Sequence, residues 1–285
     1  MTTTYAPTTT KGKVWHWVGG ILSIIVVFAL FIVPFIFILL TASKNRTDAS
    51  DLEFSWPTEF TFFSNLSFVI QDRDYQLLRA FGNSLIVTVV SVFFLVLLSA
   101  MVGYVLQRRK SRWNKLVTFL VLFGLIMPPA VVPTIWVLQG IGLFKTLPGL
   151  ILIEVAFGLS FSILLFRAFI SSIPVALDEA AWIDGCGSIK LFFKVIFPLL
   201  RPVIITVVVV MSVNIFNDFT NPLYFLPGDK NATVQLTLFN FQSQFSTDYN
   251  LLFTNVLLIT ILPLIMYMFF SRQITAGMTA GAVKG

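Results

Sequence analysis

A chain of 285 residues that is 57% hydrophobic and 11% charged, with a mean hydropathy of +0.90, lies outside the composition of water-soluble globular proteins. Its formal charge of +6 and pI near 9.6 raise nucleic-acid binding, but the basic residues sort by membrane side rather than into one patch. A single cysteine, Cys186, excludes an internal disulfide, and a single histidine, His16, leaves no cysteine/histidine metal set.

Residues 1–13 are polar and threonine-rich. Lys11 and Lys13 then precede an apolar stretch from Val18 to Leu40. That stretch exceeds the roughly 7–15 residues of a secretion-signal core, so a retained first membrane helix is expected, with Thr41-Ala42-Ser43 as the one argument for cleavage. Further apolar runs predict helices near 83–107, 116–139, 148–170, 201–221 and 252–271, each long enough for a hydrocarbon core of roughly 30 Å. The expected fold is all-α and polytopic, with six transmembrane helices. No solenoid repeat interrupts it, and it reads as a single membrane domain, 18–271, between terminal segments 1–17 and 272–285.

Orientation follows from charge. With the N-terminus inside, thirteen of the nineteen Lys and Arg residues face the cytoplasm. The cluster Arg108, Arg109, Lys110, Arg112 and Lys115 has most leverage, because it sits in a short connection between two spans. Both termini are then cytoplasmic, and residues 41–82 and 222–251 form the larger outer loops. In the first loop Phe60, Phe62, Phe63, Leu66 and Phe68 suit a segment lying in the membrane interface or packed on a partner.

Two polar patterns stand out inside the spans. Ser84, Thr88, Ser91, Ser99 and Gly103 stay near one face of the second span, a line of small residues that permits close helix contact or lines a path. In the fifth span Asn214, Asn217, Asp218 and Asn221 fall at i, i+3, i+4 and i+7, which would stack four polar side chains on one helix face. Such groups are costly in lipid and point to the bundle interior. They suit hydrogen bonding to hydroxyl-rich solutes, and equally helix–helix hydrogen bonding or solvation at the outer surface. Glu154, about two turns into the fourth span, has three readings: lining the cavity, pairing with another subunit, or reaching the headgroups. Arg167 near the inner end is expected to snorkel.

Between the fourth and fifth spans, Ser172-Ile173-Pro174-Val175-Ala176-Leu177-Asp178-Glu179-Ala180-Ala181-Trp182-Ile183-Asp184-Gly185 reads as a short cytoplasmic helix. Pro174 suits its start, Asp178 and Glu179 oppose the helix dipole in its N-terminal half, and Gly185 can end it in a left-handed conformation. At 100° per residue, Leu177, Ala180, Ala181 and Asp184 share one face, where two alanines allow another surface to approach closely. A second apolar stretch follows, with Lys190 and Lys194, before Pro198 and Pro202 turn the chain back to the membrane.

Glu179-Ala180-Ala181, Asp184-Gly185 and Pro198 together resemble the EAA signature of ABC-importer permeases. Asn83-Ser84, Met127-Pro128-Pro129, Ser172-Ile173-Pro174 and the terminal Thr279-Ala280-Gly281-Ala282-Val283-Lys284-Gly285 extend that resemblance to the carbohydrate-uptake class, of the maltose-type G subunit. Cys186 and Gly187 depart from the alanine and serine common there. The resemblance implies a type I importer permease fold with a coupling helix in segment 171–200. There Leu177, Glu179, Ala180, Ala181, Asp184 and Gly185 would meet a separate ATP-binding subunit.

It also implies a second permease, an ATPase dimer carrying ATP and magnesium, an extracytoplasmic solute-binding protein, and a C-terminal tail that reaches the ATPase dimer. This chain would bind no cofactor of its own, and it lacks a Gly-x-x-x-x-Gly-Lys-[Ser/Thr] phosphate loop. Glu154, Asn214, Asn217, Asp218 and Asn221 are candidates for the substrate pathway. The expected function is alternating-access import of a sugar or oligosaccharide in the cytoplasmic membrane of a prokaryote. A polyol or glycerol phosphate is the alternative cargo, and a stand-alone ion-coupled carrier and a membrane enzyme are the rival functions.

Overall fold

The computed structural model describes residues 10–243 and 246–282. Residues 1–9 and 283–285, parts of the two terminal segments, lie outside the described residues. Helices dominate, and the described residues hold no β-strand beyond one isolated bridge between Gln242 and Thr247. Among the described residues, four helices are long and apolar enough to cross a membrane: Gly19–Ala42, Phe62–Arg108, Leu147–Ile170 and Tyr249–Phe269. Two bent pairs raise this to as many as six if each pair is one span.

The bends correct the expected boundaries. The helix expected over 116–139 is broken, with Trp113–Ile126 and Val131–Gly140 meeting at 116°. Pro128 and Pro129 lack the N–H groups a continuing helix needs, and their rings clash with the preceding turn. The helix expected over 201–221 stops at Phe216 and restarts as Thr220–Phe225. Asp218 causes the restart, since its Oδ1 accepts from the backbone N–H of Thr220 at 2.8 Å. Pro222 removes the N–H that would have continued the ladder onto Asp218.

The helix expected from residue 83 begins near residue 76, and the loop before it carries a further helical stretch over residues 62–71. The two are separated where Asp72 is extended and Arg73, Asp74 and Tyr75 take positive φ of 47°, 56° and 57°. Arg79 spans the break, donating to the Arg73 carbonyl at 2.9 Å and to Asp74 Oδ2 at 2.9 Å. The final helix runs to Ala282, past the expected limit near residue 271.

The chain divides into two compact units. In the first, Met1–Val69 with Asn240–Leu258, amides tie the chain together. Asn65 Nδ2 donates to the Ala42 and Lys44 carbonyls at 2.9 and 3.0 Å, and Asn250 Nδ2 donates to Asn65 Oδ1 at 3.0 Å. Lys44 is buried, with its ammonium donating to the Glu53 carbonyl at 2.8 Å and Ser55 Oγ at 2.9 Å. Nearby, Asp48 accepts from both the hydroxyl and the backbone N–H of Thr58, which holds its carboxyl below the usual range.

The second unit is Ile70–Phe239 with Ile259–Gly285. Its core joins Leu95 and Ala100 of the long helix, Phe166 and Ile170 of Leu147–Ile170, and Leu191, Ile196, Leu200 and Val207. The small-residue line on the long helix is buried at Ser84, Thr88, Ser91 and Ser99. A Cβ on Gly103 would lie 3.0 Å from Phe166 Cβ and 3.1 Å from the Arg167 nitrogen, so this line serves close helix packing. Arg167 does not simply snorkel: it reaches Gln107 Oε1 at 3.4 Å and Thr118 Oγ1 at 3.2 Å, joining three helices.

Candidate functional site

The short helix forms as its residues dictate. It spans Ala176–Ile183, with Asp178 and Glu179 in the first turn, where carboxylates oppose the positive end of the helix dipole. Its end is a Schellman motif: the Gly185 N–H bonds the Trp182 carbonyl at 3.0 Å and the Cys186 N–H bonds the Ala181 carbonyl at 2.9 Å. Gly185 carries the left-handed turn at φ +75°, which a β-carbon would strain.

The faces differ from the helical-wheel expectation at one residue. Leu177, Ala180, Asp184, Glu179 and Gly185 are exposed, but Ala181 is buried and joins a cluster with Ile173, Leu191 and Phe192. Ala181 therefore seats the helix on its own bundle, while Trp182 and Ile183 stand out at 61% and 87% exposure. Exposed apolar side chains of this size beside small and acidic residues make a surface suited to contact with another protein.

The most consequential residue of this helix is one that helical geometry alone had assigned only a dipole role. Asp178 is buried, with Oδ2 3.1 Å from Arg108 Nε and Oδ1 accepting from the Tyr104 hydroxyl at 2.6 Å. Arg108 also donates to the Ile173 carbonyl at 2.8 Å. Nothing in the spacing of residues 108 and 178 signals the pair, although an arginine closing a span and an aspartate opening a short helix were both visible. Beside it lies a cavity of about 840 Å³, bounded by Met101, Val105, Trp182, Ile189, Phe192 and Phe193 among others.

The intramembrane candidates come together in part. Glu154 is buried, and Asn221 Nδ2 donates to its Oε1 at 3.1 Å, with the Asp218 carboxyl as a further neighbour. Asn217, at the end of the broken helix, accepts from Gln235 Nε2 at 3.3 Å. Asn214 is exposed on the helix before the break. Because the helix stops at Phe216, the four do not stack on one continuous face. The break instead swings Asn221 to Glu154 and joins two candidates that are 67 residues apart.

These features define a multi-helix membrane protein with a short, exposed helix, Ala176–Ile183, between its later apolar helices. The chain belongs to the family described as binding-protein-dependent transport system inner membrane component, which it matches over residues 96–279. It is similar to the melibiose/raffinose/stachyose import permease protein MelC of Bacillus subtilis, at 31% identity over 93% of this chain and 95% of that one. It is likewise 31% identical to the diacetylchitobiose uptake system permease protein NgcG of Streptomyces coelicolor, over 90% of this chain and 85% of that one.

Its fold matches a chain of a bacterial ABC transporter that imports the acidic polysaccharide alginate, with a TM-score of 0.79 at 20% identity, over 94% of this chain and 99% of that one. Family membership makes this chain a transport subunit of the cytoplasmic membrane and not an enzyme, with ATP hydrolysis in a separate subunit.

Proposed function

We propose that this chain is the permease subunit of an ATP-driven importer for a sugar or oligosaccharide. It would cross the membrane six times with both termini in the cytoplasm, and would pair with a second, homologous permease. The domain organisation is a permease body at 18–271, with coupling segment 171–200, between a cytoplasmic N-terminal segment, 1–17, and a cytoplasmic tail, 272–285. ATP and magnesium reside in a dimer of separate ATP-binding subunits, and a solute-binding protein delivers cargo from outside. The single observation that carries the coupling reading is the exposed, Schellman-capped helix Ala176–Ile183 within a chain of this family.

On this reading Leu177, Glu179, Ala180, Asp184 and Gly185 meet the ATP-binding subunit. Ala181 fixes the helix from behind. ATP-driven closure of the partner dimer displaces this helix, and the bundle alternates between inward and outward access. Glu154, Asn217, Asp218 and Asn221 offer carboxyl and amide groups for cargo hydroxyls, with the exposed Asn214 at the margin. The oligosaccharides named for the MelC and NgcG relatives support a carbohydrate cargo.

The test is uptake by liposomes holding the assembled transporter. Oligosaccharide accumulation should require ATP, the ATP-binding subunits and the solute-binding protein together. Accumulation of glycerol phosphate or a polyol in place of oligosaccharide would move the cargo class, and uptake by this chain alone would sink the importer reading.

A further inference from the structure

The helix Ala176–Ile183 has little apolar anchorage of its own. Ala181 is its one buried apolar side chain, and an alanine contributes little burial. Of the connections on either side, Ser171–Ser172 and Asp184–Gly185 are exposed, and Ile173 and Cys186 are the flanking residues that reach the core. On one flank the cavity of about 840 Å³ separates Trp182 of this helix from Met101 and Val105 of the long helix, so apolar packing does not bridge them there. A helix held so thinly would tilt under load without displacing its bundle.

The polar contacts supply what packing does not. Arg108 and Asp178 meet at 3.1 Å with side chains only 11% and 10% exposed, where charges attract more strongly than in water and separate at high cost. Tyr104 lies one turn before Arg108 on the same face of the long helix and donates to the second Asp178 oxygen at 2.6 Å. Arg108 also holds the Ile173 carbonyl at 2.8 Å, ahead of the short helix. Three tie points thus join the last turn of the long helix to the start of the short one. From there Gly103, in close contact with Phe166, leads to the helix Leu147–Ile170.

We propose that the Arg108–Asp178 ion pair, closed by Tyr104, is a positioning latch that makes the short cytoplasmic helix and the long spanning helix move as one body during transport. The inference rests on the assignment of Ala176–Ile183 as the coupling helix. The latch residues touch neither cargo nor nucleotide. They transmit a displacement received on the exposed face of the short helix to the transport bundle.

The experiment uses the full transporter in liposomes, with Asp178→Asn, Arg108→Gln, Asp178→Glu and the exchange Arg108→Asp/Asp178→Arg. In Asp178→Asn and Arg108→Gln the ATP-binding subunits should still copurify and hydrolyse ATP, while cargo delivered per ATP falls by about tenfold or more. Asp178→Glu and the exchange should each recover most of that loss. Spin labels at Val105→Cys and Trp182→Cys, in a Cys186→Ser background, should report one narrow distance through the ATP cycle, broadened by Asp178→Asn.

Unchanged cargo per ATP in both single variants overturns the latch. So does loss of the ATP-binding subunits in those variants, which would place the pair in docking, or a label distance indifferent to Asp178→Asn. The coupling assignment itself is tested apart: Ala180→Trp on the exposed face should abolish copurification, and retention of the ATP-binding subunits would overturn that assignment and not the ion-pair geometry.

Discussion

Arg108 Nε lies 3.1 Å from Asp178 Oδ2, and neither side chain has ready access to water. Removing one partner leaves the other charge buried without its counterion, which costs about 3–5 kcal/mol. Asp178→Ala should therefore lower the thermal unfolding midpoint of the purified protein sharply. The paired replacement Arg108→Met/Asp178→Leu should restore much of that stability, because an apolar pair of similar volume removes both desolvation costs. Transport should stay low in the paired variant, since packing alone does not hold the short helix in register.

Gly103 allows the long helix to approach Leu147–Ile170 without a side chain between them. Gly103→Val would drive its methyl groups into Phe166 Cβ and the Arg167 backbone, and overpacking of this kind costs about 1–3 kcal/mol. A lower melting temperature and a loss of stable assembly should accompany the change, and Gly103→Ala should be milder.

The left-handed turn at Gly185 sets where the short helix ends. Gly185→Val should cost about 1–2 kcal/mol locally and misdirect the chain toward Ser188. Gly185→Asn should be tolerated better, because asparagine enters this conformation more readily. ATP-driven uptake measured across Gly, Asn and Val should fall in that order.

Asn221 supplies a donor to the buried Glu154 carboxyl at 3.1 Å. Asn221→Ala strands that oxygen, a loss of about 1–3 kcal/mol. If these groups face cargo, uptake should weaken more at limiting than at saturating cargo, and Glu154→Gln should shift the range of sugars accepted. Uptake kinetics over a cargo series provide the measurement.

In the loop that follows the helix Gly19–Ala42, the Thr58 hydroxyl and then its backbone N–H hold the Asp48 carboxyl below its ordinary range. A depressed carboxyl favours the folded loop at pH above its unfolded value and loses that advantage as pH falls through its folded value. Thr58→Val should raise the Asp48 titration midpoint, observable by carboxyl NMR. It should also shift acid-induced protease sensitivity of the loop to higher pH.

Much of the helical plan was legible because its signals are local. The helix Leu147–Ile170 starts within a residue of the position its apolar run predicts, and Gly185 ends the short helix as its capacity for a left-handed turn predicts. The breaks were harder, because Met127, Pro128 and Pro129 sit in a run whose hydropathy alone favours continuity, and Asp218 acts through a two-residue backbone bond. The stretch over 62–71 was hidden in a segment that read as loop, whereas Asp72, Arg73 and Asp74 do fall at a break, just before the long helix begins near residue 76. The site was legible as a segment but not as a machine, since the partners of Asp178 are 74 and 70 residues away along the chain.

The break after Ile126 leaves a helix of 14 residues, about 21 Å long at its helical rise. A hydrocarbon slab is roughly 30 Å thick, so this segment alone cannot match it. Val131–Gly140 can complete the crossing after the 116° bend; otherwise the lipid beside Trp113–Ile126 thins, at an elastic cost that changes with acyl-chain length. Turnover measured across bilayers of different thickness separates the two, because only an uncompleted crossing makes short-chain lipids relieve a mismatch that the two consecutive prolines have written into the chain.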